Sequence, residues 1–166
     1  MGNRLMHYQA KPIIFDSSRR YEQAEKRATY TKPKGFWVSV DGEYGWPEWC
    51  RAEEYGTDSL VVAHEVRLTG SANVRRVTSV QEIDQFHNEF AAPTASDIKS
   101  GCEVWLWGIE WPRVARLYDG IIITPYLWER RYAGDTSWYY GWDCASGCIW
   151  NLTAIESVTV LSEVAQ

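Results

Sequence analysis

The sequence lacks several features that would assign it to a large protein class. No apolar run approaches the roughly 20 residues that a membrane-spanning helix needs. The opening residues, MGNRLMHYQA, lack the apolar segment of a secretory signal, so we expect a cytoplasmic protein with no membrane partner. Also absent are the glycine-rich Rossmann loop, the P-loop and the Gly-x-Ser-x-Gly turn, which excludes the enzymes that depend on them.

Cysteine and histidine are sparse, with four cysteines and three histidines in 166 residues. Only Cys144 and Cys148 are close in sequence, as a C-x-x-x-C pair. Zinc sites usually combine two paired C-x-x-C spacings or a Cys/His quartet. The sequence therefore predicts no metal site, and the thiols are expected to be free and at least partly buried.

Length and charge indicate one soluble globular domain over 1–166. The net charge of −5 argues against a protein that coats nucleic acid. The charge is uneven, because residues 1–35 hold eight Lys or Arg and only three Asp or Glu. This basic segment could meet an anionic ligand, or it could be an ordinary solvated helix surface.

Aromatic residues are abundant, with 10 Trp, 10 Tyr and 4 Phe. Most of them must pack in the core, although a few placed around a flat ligand would form a typical pocket lining.

Local patterns predict more strands than helices. Strands are expected at 3–8, 36–40, 59–68, 73–78, 102–107, 120–124, 138–142, 148–150 and 157–161, and helices at 17–29, 46–55, from 80 onward and at 111–117. Because the order has no strict βαβ alternation, we expect an α+β fold with antiparallel or mixed sheets.

Four segments, taken in order, resemble the ADP-ribosyltransferase-like superfamily, in particular a compact bacterial or phage member of the histidine type. They are Leu5-Met6-His7-Tyr8; Gly35-Phe36-Trp37-Val38-Ser39; the stretch VVAHEVRL followed by NVRRVTSVQEIDQF; and Leu117-Tyr118-Asp119-Gly120-Ile121 followed by Cys148-Ile149-Trp150-Asn151. The resemblance covers about residues 4–160. It implies two packed, mainly antiparallel β-sheets with a few short peripheral helices.

The resemblance also implies an activity. Members of this superfamily use NAD, break its nicotinamide–ribose bond and transfer ADP-ribose to a macromolecular acceptor, here a protein or a nucleic acid. Some of them are toxins with an inhibitory partner. The glutamate that the family carries just before its last core strand is missing here, and Asp143 is the carboxylate at that place.

Three polar residues are the candidate catalytic groups. His7 and Ser39 match the family's ribose-binding positions, and Asp143 would place negative charge near the oxocarbenium-like ribose of the transition state. Each has an ordinary alternative: a satisfied buried histidine, a strand-end serine, and an aspartate that hydrogen-bonds its own turn. Asp119 is the weaker alternative carboxylate.

Aromatic side chains would complete the NAD site. Tyr8 lies beside His7, and Trp37 and Tyr126 could flank the nicotinamide. In the family, the loop that corresponds to 125–137 often touches the acceptor, so Glu129, Arg130 and Arg131 either contact the target or form a solvated charge run. His64 and His87 are expected to be structural or exposed.

Two other functions remain open on the sequence. The missing glutamate suits a non-catalytic binding module on the same scaffold. The tryptophan content and the basic segment 1–35 suit an aromatic-rich binder of nucleic acid or carbohydrate.

Overall fold

A computed structural model describes residues 3–25, 30–132 and 136–163. It contains seven strands: β1 Leu5–Gln9, β2 Phe36–Val40, β3 Val62–Leu68, β4 Val74–Val77, β5 Gly120–Ile123, β6 Ser146–Ile149 and β7 Ile155–Glu163. The helices are α1 Trp46–Ala52, α2 Val80–Phe90, α3 Ala95–Ser100, α4 Trp111–Leu117 and α5 Trp128–Arg131. Mixed α+β structure is therefore confirmed. None of the helices in the described ranges is long and apolar enough to cross a bilayer.

The seven strands form one mixed sheet in the order β4-β5-β6-β2-β1-β3-β7. Among the strand pairs in the described part of the chain, only β4–β5 is parallel. The prediction of two packed sheets is wrong for the described residues, because β2 pairs with β6 along its length, from Phe36 opposite Ile149 to Ser39 opposite Ser146. That pairing joins β4, β5 and β6 to the group formed by β1, β2, β3 and β7, and it makes the sheet continuous.

The core includes both faces of the central strands. β5, with the sequence GIII, is buried at all four positions, as expected for a strand covered on both sides. The indole of Trp111 on α4 lies among Phe86, Trp138 and Trp142, and its Nε1 donates a hydrogen bond to the Thr31 carbonyl at 2.6 Å. This contact fixes the chain segment around residue 31 against the core.

Glycine is required where β5 and β6 pack closely. A Cβ atom on Gly147 would lie 2.6 Å from Ile122 Cγ1 and 2.7 Å from the Ile121 carbonyl oxygen. No side chain fits in that space without moving the β5 backbone.

Several local predictions are correct because their signals are short-range. β2 has the predicted bounds, and the helices expected at 46–55, from 80 onward and at 111–117 begin at the predicted residues. Pro47 and Pro112 lie in the first turns of α1 and α4, and Ser79 caps α2 by accepting a hydrogen bond from the Glu82 N–H.

Three predicted elements are wrong. Residues 17–25, where a helix was expected, are not helical. Asp16 Oδ1 instead accepts hydrogen bonds from both the amide and the hydroxyl of Ser18 in a local turn. The rest of the predicted helix, 26–29, lies outside the described residues. The strands expected at 102–107 and 138–142 are short 3-10 helices, Val104–Leu106 and Ser137–Gly141. In the second of these, Trp138 and Tyr139 are adjacent in sequence and both buried.

Candidate functional site

A cavity of about 400 Å³ brings together residues from distant parts of the sequence. His7 and Tyr8 reach it from β1, Trp37 and Ser39 from β2, and Asp143 from the loop before β6. The other lining residues are Met6, Gln9, Lys32, Val38, Trp46, Ser59, Cys144 and Ser146. All three candidate catalytic residues therefore line one cavity, whose size and aromatic content are typical of a small-molecule pocket.

His7 is held in one tautomer by its contacts. β1 and β2 are antiparallel neighbours with Met6 opposite Ser39, and His7 Nδ1 donates a 2.8 Å hydrogen bond to the Trp37 carbonyl. The imidazole stacks on Phe36 with ring centroids 4.3 Å apart. Burial lowers the pKa of His7, although the bond to the Trp37 carbonyl opposes this. The neutral ring then has an unprotonated Nε2, which can accept a hydrogen bond.

Ser39 is buried at the end of β2 and connects the strand to α1. Its Oγ accepts a 2.8 Å hydrogen bond from the Trp46 amide, which is one of the unpaired N–H groups in the first turn of α1. The hydroxyl hydrogen of Ser39 is still available for donation to a ligand. Ser39 thus has a structural role that also fixes its direction at the cavity.

Asp143 forms an ion pair that the sequence did not indicate. Its Oδ2 lies 2.8 Å from Lys32 Nζ, and the Lys32 ammonium also lies 5.6 Å from the centre of the Trp37 ring. The segment Lys32-Pro33-Lys34-Gly35 predicts only a break after the helix expected at 17–29. A lone lysine beside a proline carries no signal for a site, so Lys32 could not have been selected. Among the described lining residues, Asp143 is the only carboxylate.

Tyr126 lies outside the cavity lining, so the structure does not support it as a wall of a nicotinamide pocket. It is buried behind Trp142, where its hydroxyl donates to the Trp142 carbonyl at 2.7 Å and accepts from Arg131 at 2.6 Å. Burial raises the pKa of Tyr126 to about 12 against the opposing effect of Arg131. Tyr8 and Trp37, the other two aromatic candidates, do line the cavity.

The remaining polar candidates have structural partners. Asp119 accepts from the Asn73 amide and from Asn151 Nδ2, so both of its carboxylate oxygens are used in tying the loop before β5. His64 is buried, donating from Nδ1 to the His7 carbonyl and accepting at Nε2 from the Ile13 amide. His64 therefore has the structural role that was expected of it, whereas the carboxylate of Asp119, the weaker alternative for the site, is engaged in loop structure.

Cys144 is a cavity residue with little reactivity. It is buried, and burial raises the pKa of its thiol to about 12, so almost no thiolate is present at neutral pH. In the described ranges, no group of three or more His, Cys, Asp or Glu side chains could hold a metal ion.

A second cavity of about 460 Å³ adjoins the first, and the two share His7, Gln9 and Trp37. Its other lining residues are Ile13, Ile14, Phe15, Asp16, Arg19, Tyr21, Gly35, Phe36 and Leu152. The Arg19 guanidinium lies 4.8 Å from the centre of the Tyr21 ring, so this cavity combines a cation with aromatic surface. The three residues that the two cavities share belong to β1 and β2.

Comparisons of the chain with family models, with curated proteins and with solved structures found no match.

Proposed function

We propose that the protein is an NAD-dependent ADP-ribosyltransferase with an ADP-ribosyltransferase-like fold, which cleaves the nicotinamide–ribose bond and transfers ADP-ribose to a macromolecule. The observation that carries the proposal is the position of His7, Ser39 and Asp143 on one cavity, although they are far apart in sequence. These are the groups that the family resemblance selected.

A ligand with two ends would occupy both cavities, which share three lining residues. The cavity with Asp143 would take the nicotinamide riboside, with Trp37 and Tyr8 against its flat surfaces. The adjoining cavity would take the adenosine end, with Arg19 close to the pyrophosphate charge. The shared residues, His7 and Trp37, would then lie beside the ribose that reacts.

The chemistry follows from the charge that develops at that ribose. As the bond from C1′ to the pyridine nitrogen breaks, its electron pair leaves with nicotinamide, which becomes neutral, and the sugar gains oxocarbenium character. The Asp143 carboxylate stabilises that positive charge, and His7 Nε2 and the Ser39 hydroxyl fix the ribose hydroxyls. An acceptor nucleophile then bonds to C1′ and loses its proton to solvent.

The test is nicotinamide release from NAD, measured with purified protein and with a cell lysate as a source of acceptors. Asp143→Asn keeps the size of the side chain and removes its charge, so release should fall about 100-fold or more. Asp119→Asn is the matched control and should retain release in the fraction that stays folded. The absence of release by the unaltered protein in both preparations would refute the proposal.

A second function is favoured by the Lys32–Asp143 ion pair. A lysine that neutralises the lone carboxylate suits a non-catalytic module that binds the nucleotide without cleaving it. Calorimetry with NAD separates the two, because the module would bind NAD while the NAD concentration stays constant over hours.

A further inference from the structure

Next to the cavity lies an exposed cluster of tyrosine rings, here called the tyrosine patch and made of Tyr30, Tyr132 and Tyr140. Their exposed fractions are 55%, 72% and 52%. The rings contact one another through Tyr140, whose centroid lies 5.7 Å from that of Tyr30 and 6.3 Å from that of Tyr132. Single exposed aromatics are common, but three in mutual contact form a surface patch of the kind that binds partners.

A cation lies within the patch. The Arg131 guanidinium lies 5.3 Å from the Tyr132 ring centre and 6.0 Å from that of Tyr140. Its hydrogen bonds to described residues include those to the Tyr126 hydroxyl, the Asp143 carbonyl and the Tyr132 side chain, all of them neutral. By contrast, the neighbouring Arg130 is paired with the Asp84 carboxylate at 2.7 Å. Within the described ranges no carboxylate forms an ion pair with Arg131, so its positive charge adds to the surface beside the rings.

The patch is continuous with the cavity rim. A Cβ atom on Gly141 would lie 3.5 Å from Lys32 Cε and 3.5 Å from the Tyr30 carbonyl, so the lysine stem runs beside the residue that follows Tyr140. The same lysine carries the ion pair to Asp143 inside the cavity lining. A molecule lying across the rings would therefore reach the place where the ribose is expected to react.

We infer that the tyrosine patch binds unpaired single-stranded nucleic acid, with bases stacked on the rings of Tyr30, Tyr132 and Tyr140 and the backbone phosphates near Arg131. Every base has a flat face that stacks on an aromatic ring, and arginine adds attraction to phosphate and to the base plane. Duplex DNA hides those faces, so the patch selects single strands.

The Arg131 guanidinium beside the Tyr132 and Tyr140 rings favours a polyanion as the occupant of the patch. Tyr30 lies in the basic segment 1–35, where basic residues outnumber acidic ones by eight to three. Binding of nucleic acid requires no turnover, whereas the further step, in which the bound strand is the ADP-ribose acceptor, rests on the proposed function.

The experiment measures fluorescence anisotropy of an end-labelled single strand of about 12 nucleotides, and of its duplex, without NAD. The single strand should bind at least about 10-fold more tightly than the duplex, and more weakly as salt rises. Replacing Tyr132 and Tyr140 together by Ala should weaken binding about 10-fold or more, while replacing both by Phe should preserve it, since stacking needs the ring and not the hydroxyl. Tyr55→Ala is the matched control, because that tyrosine is 63% exposed and its ring contacts Trp49.

Three outcomes would overturn the inference: no binding at low salt, equal affinity for duplex, or unchanged affinity in the double alanine variant. If the unaltered protein binds no oligonucleotide but forms a dimer, and the double alanine variant does not dimerise, the patch binds a second copy of the chain instead. Nicotinamide release, measured in parallel, tests the enzyme proposal separately. If the protein binds the single strand but releases no nicotinamide, the inference about the tyrosine patch stands and the proposed transferase activity is refuted.

Discussion

Lys32 and Asp143 are 111 residues apart in sequence, and their charged atoms lie 2.8 Å apart on the lining of the candidate NAD cavity. The pair is partly exposed, with 40% of the lysine and 28% of the aspartate side chain open to solvent. Solvent screens such a pair, so its contribution to the stability of the fold is small.

A double-mutant cycle on this pair should give a small coupling energy. We expect Lys32→Ala, Asp143→Ala and the double variant to show a coupling of about 0.2–1 kcal/mol in urea unfolding. The coupling should shrink at about 1 M NaCl, where the screening length falls to about 3 Å. A coupling well above that range, unchanged by salt, would mean that the pair is held more rigidly than its exposure indicates.

Stability should depend on pH through His7. Its folded-state pKa is lowered by burial from the ordinary 6.5, so the unfolded chain takes up the proton first as the pH falls. The contribution of His7 to the free energy of unfolding should therefore be complete above pH 6.5. It should decrease as the pH falls from 6.5 towards the lowered pKa of the folded state. Urea unfolding between about pH 7.5 and about pH 5.5 measures this decrease, which cannot exceed about 1.4 kcal/mol per pH unit for one proton.

The variant His7→Asn should have a weaker pH dependence over the same range, because asparagine can donate near the position of Nδ1 but does not titrate. Some dependence should remain, since burial also lowers the pKa of His87. An identical pH profile for His7→Asn and the unaltered protein would contradict the assignment to His7.

Replacement of Trp111 should destabilise the whole sheet. Trp111→Phe removes the donor to the Thr31 carbonyl and leaves a gap between Trp138 and Trp142, so we expect the free energy of unfolding to fall by about 1–3 kcal/mol. Trp128→Phe is the control at a half-exposed position and should change stability by less than about 0.5 kcal/mol. Equal effects of the two changes in urea unfolding would refute the role given to Trp111.

Thiol labelling should distinguish one cysteine from the other three. Cys102 is partly exposed, whereas Cys50, Cys144 and Cys148 are buried, and burial raises the pKa of each buried thiol. A chromogenic disulfide reagent at about pH 8 should therefore react quickly with one thiol per native chain and with all four in denaturant. Cys102→Ser should abolish the fast phase, and its persistence in that variant would show that a thiol described as buried is accessible.

The predictable part of the fold is the part encoded by neighbouring residues. The alternating segment 36–40, the Ser79 cap and the prolines of α1 and α4 define their elements without long-range help. The strand prediction for 138–142 is wrong because the spacing of its aromatic residues resembles that of a strand. In the structure, Trp138, Tyr139 and Trp142 are all buried against one core, and the segment forms a 3-10 helix. The union of the strands into one sheet depends on the long-range pairing of β2 with β6, which no local signal reveals.

The candidate site was predictable to a similar extent. His7, Ser39 and Asp143 were selected because a family resemblance drew attention to them, and they line a common cavity. Lys32 was missed, and Tyr126, which was expected beside the nicotinamide, lies outside the cavity lining, since both positions depend on how loops pack. The Tyr126 hydroxyl accepts from Arg131 at the end of α5, and it donates to the Trp142 carbonyl, a contact that depends on how the loop after β5 packs.

The central position of β1 and β2 determines which parts of the cavity lining can move. His7 and Ser39 belong to strands with hydrogen-bonded neighbours on both edges, so their spacing can change only if the sheet itself opens. Lys32 and Asp143, which line the same cavity, belong to connecting segments outside the sheet, and the hydrogen bond from Trp111 to the Thr31 carbonyl ties the first of these segments to the core. Under the proposed function, entry and exit of the nucleotide should therefore depend on movement of these segments, and amide hydrogen exchange should be faster there than in β1 and β2.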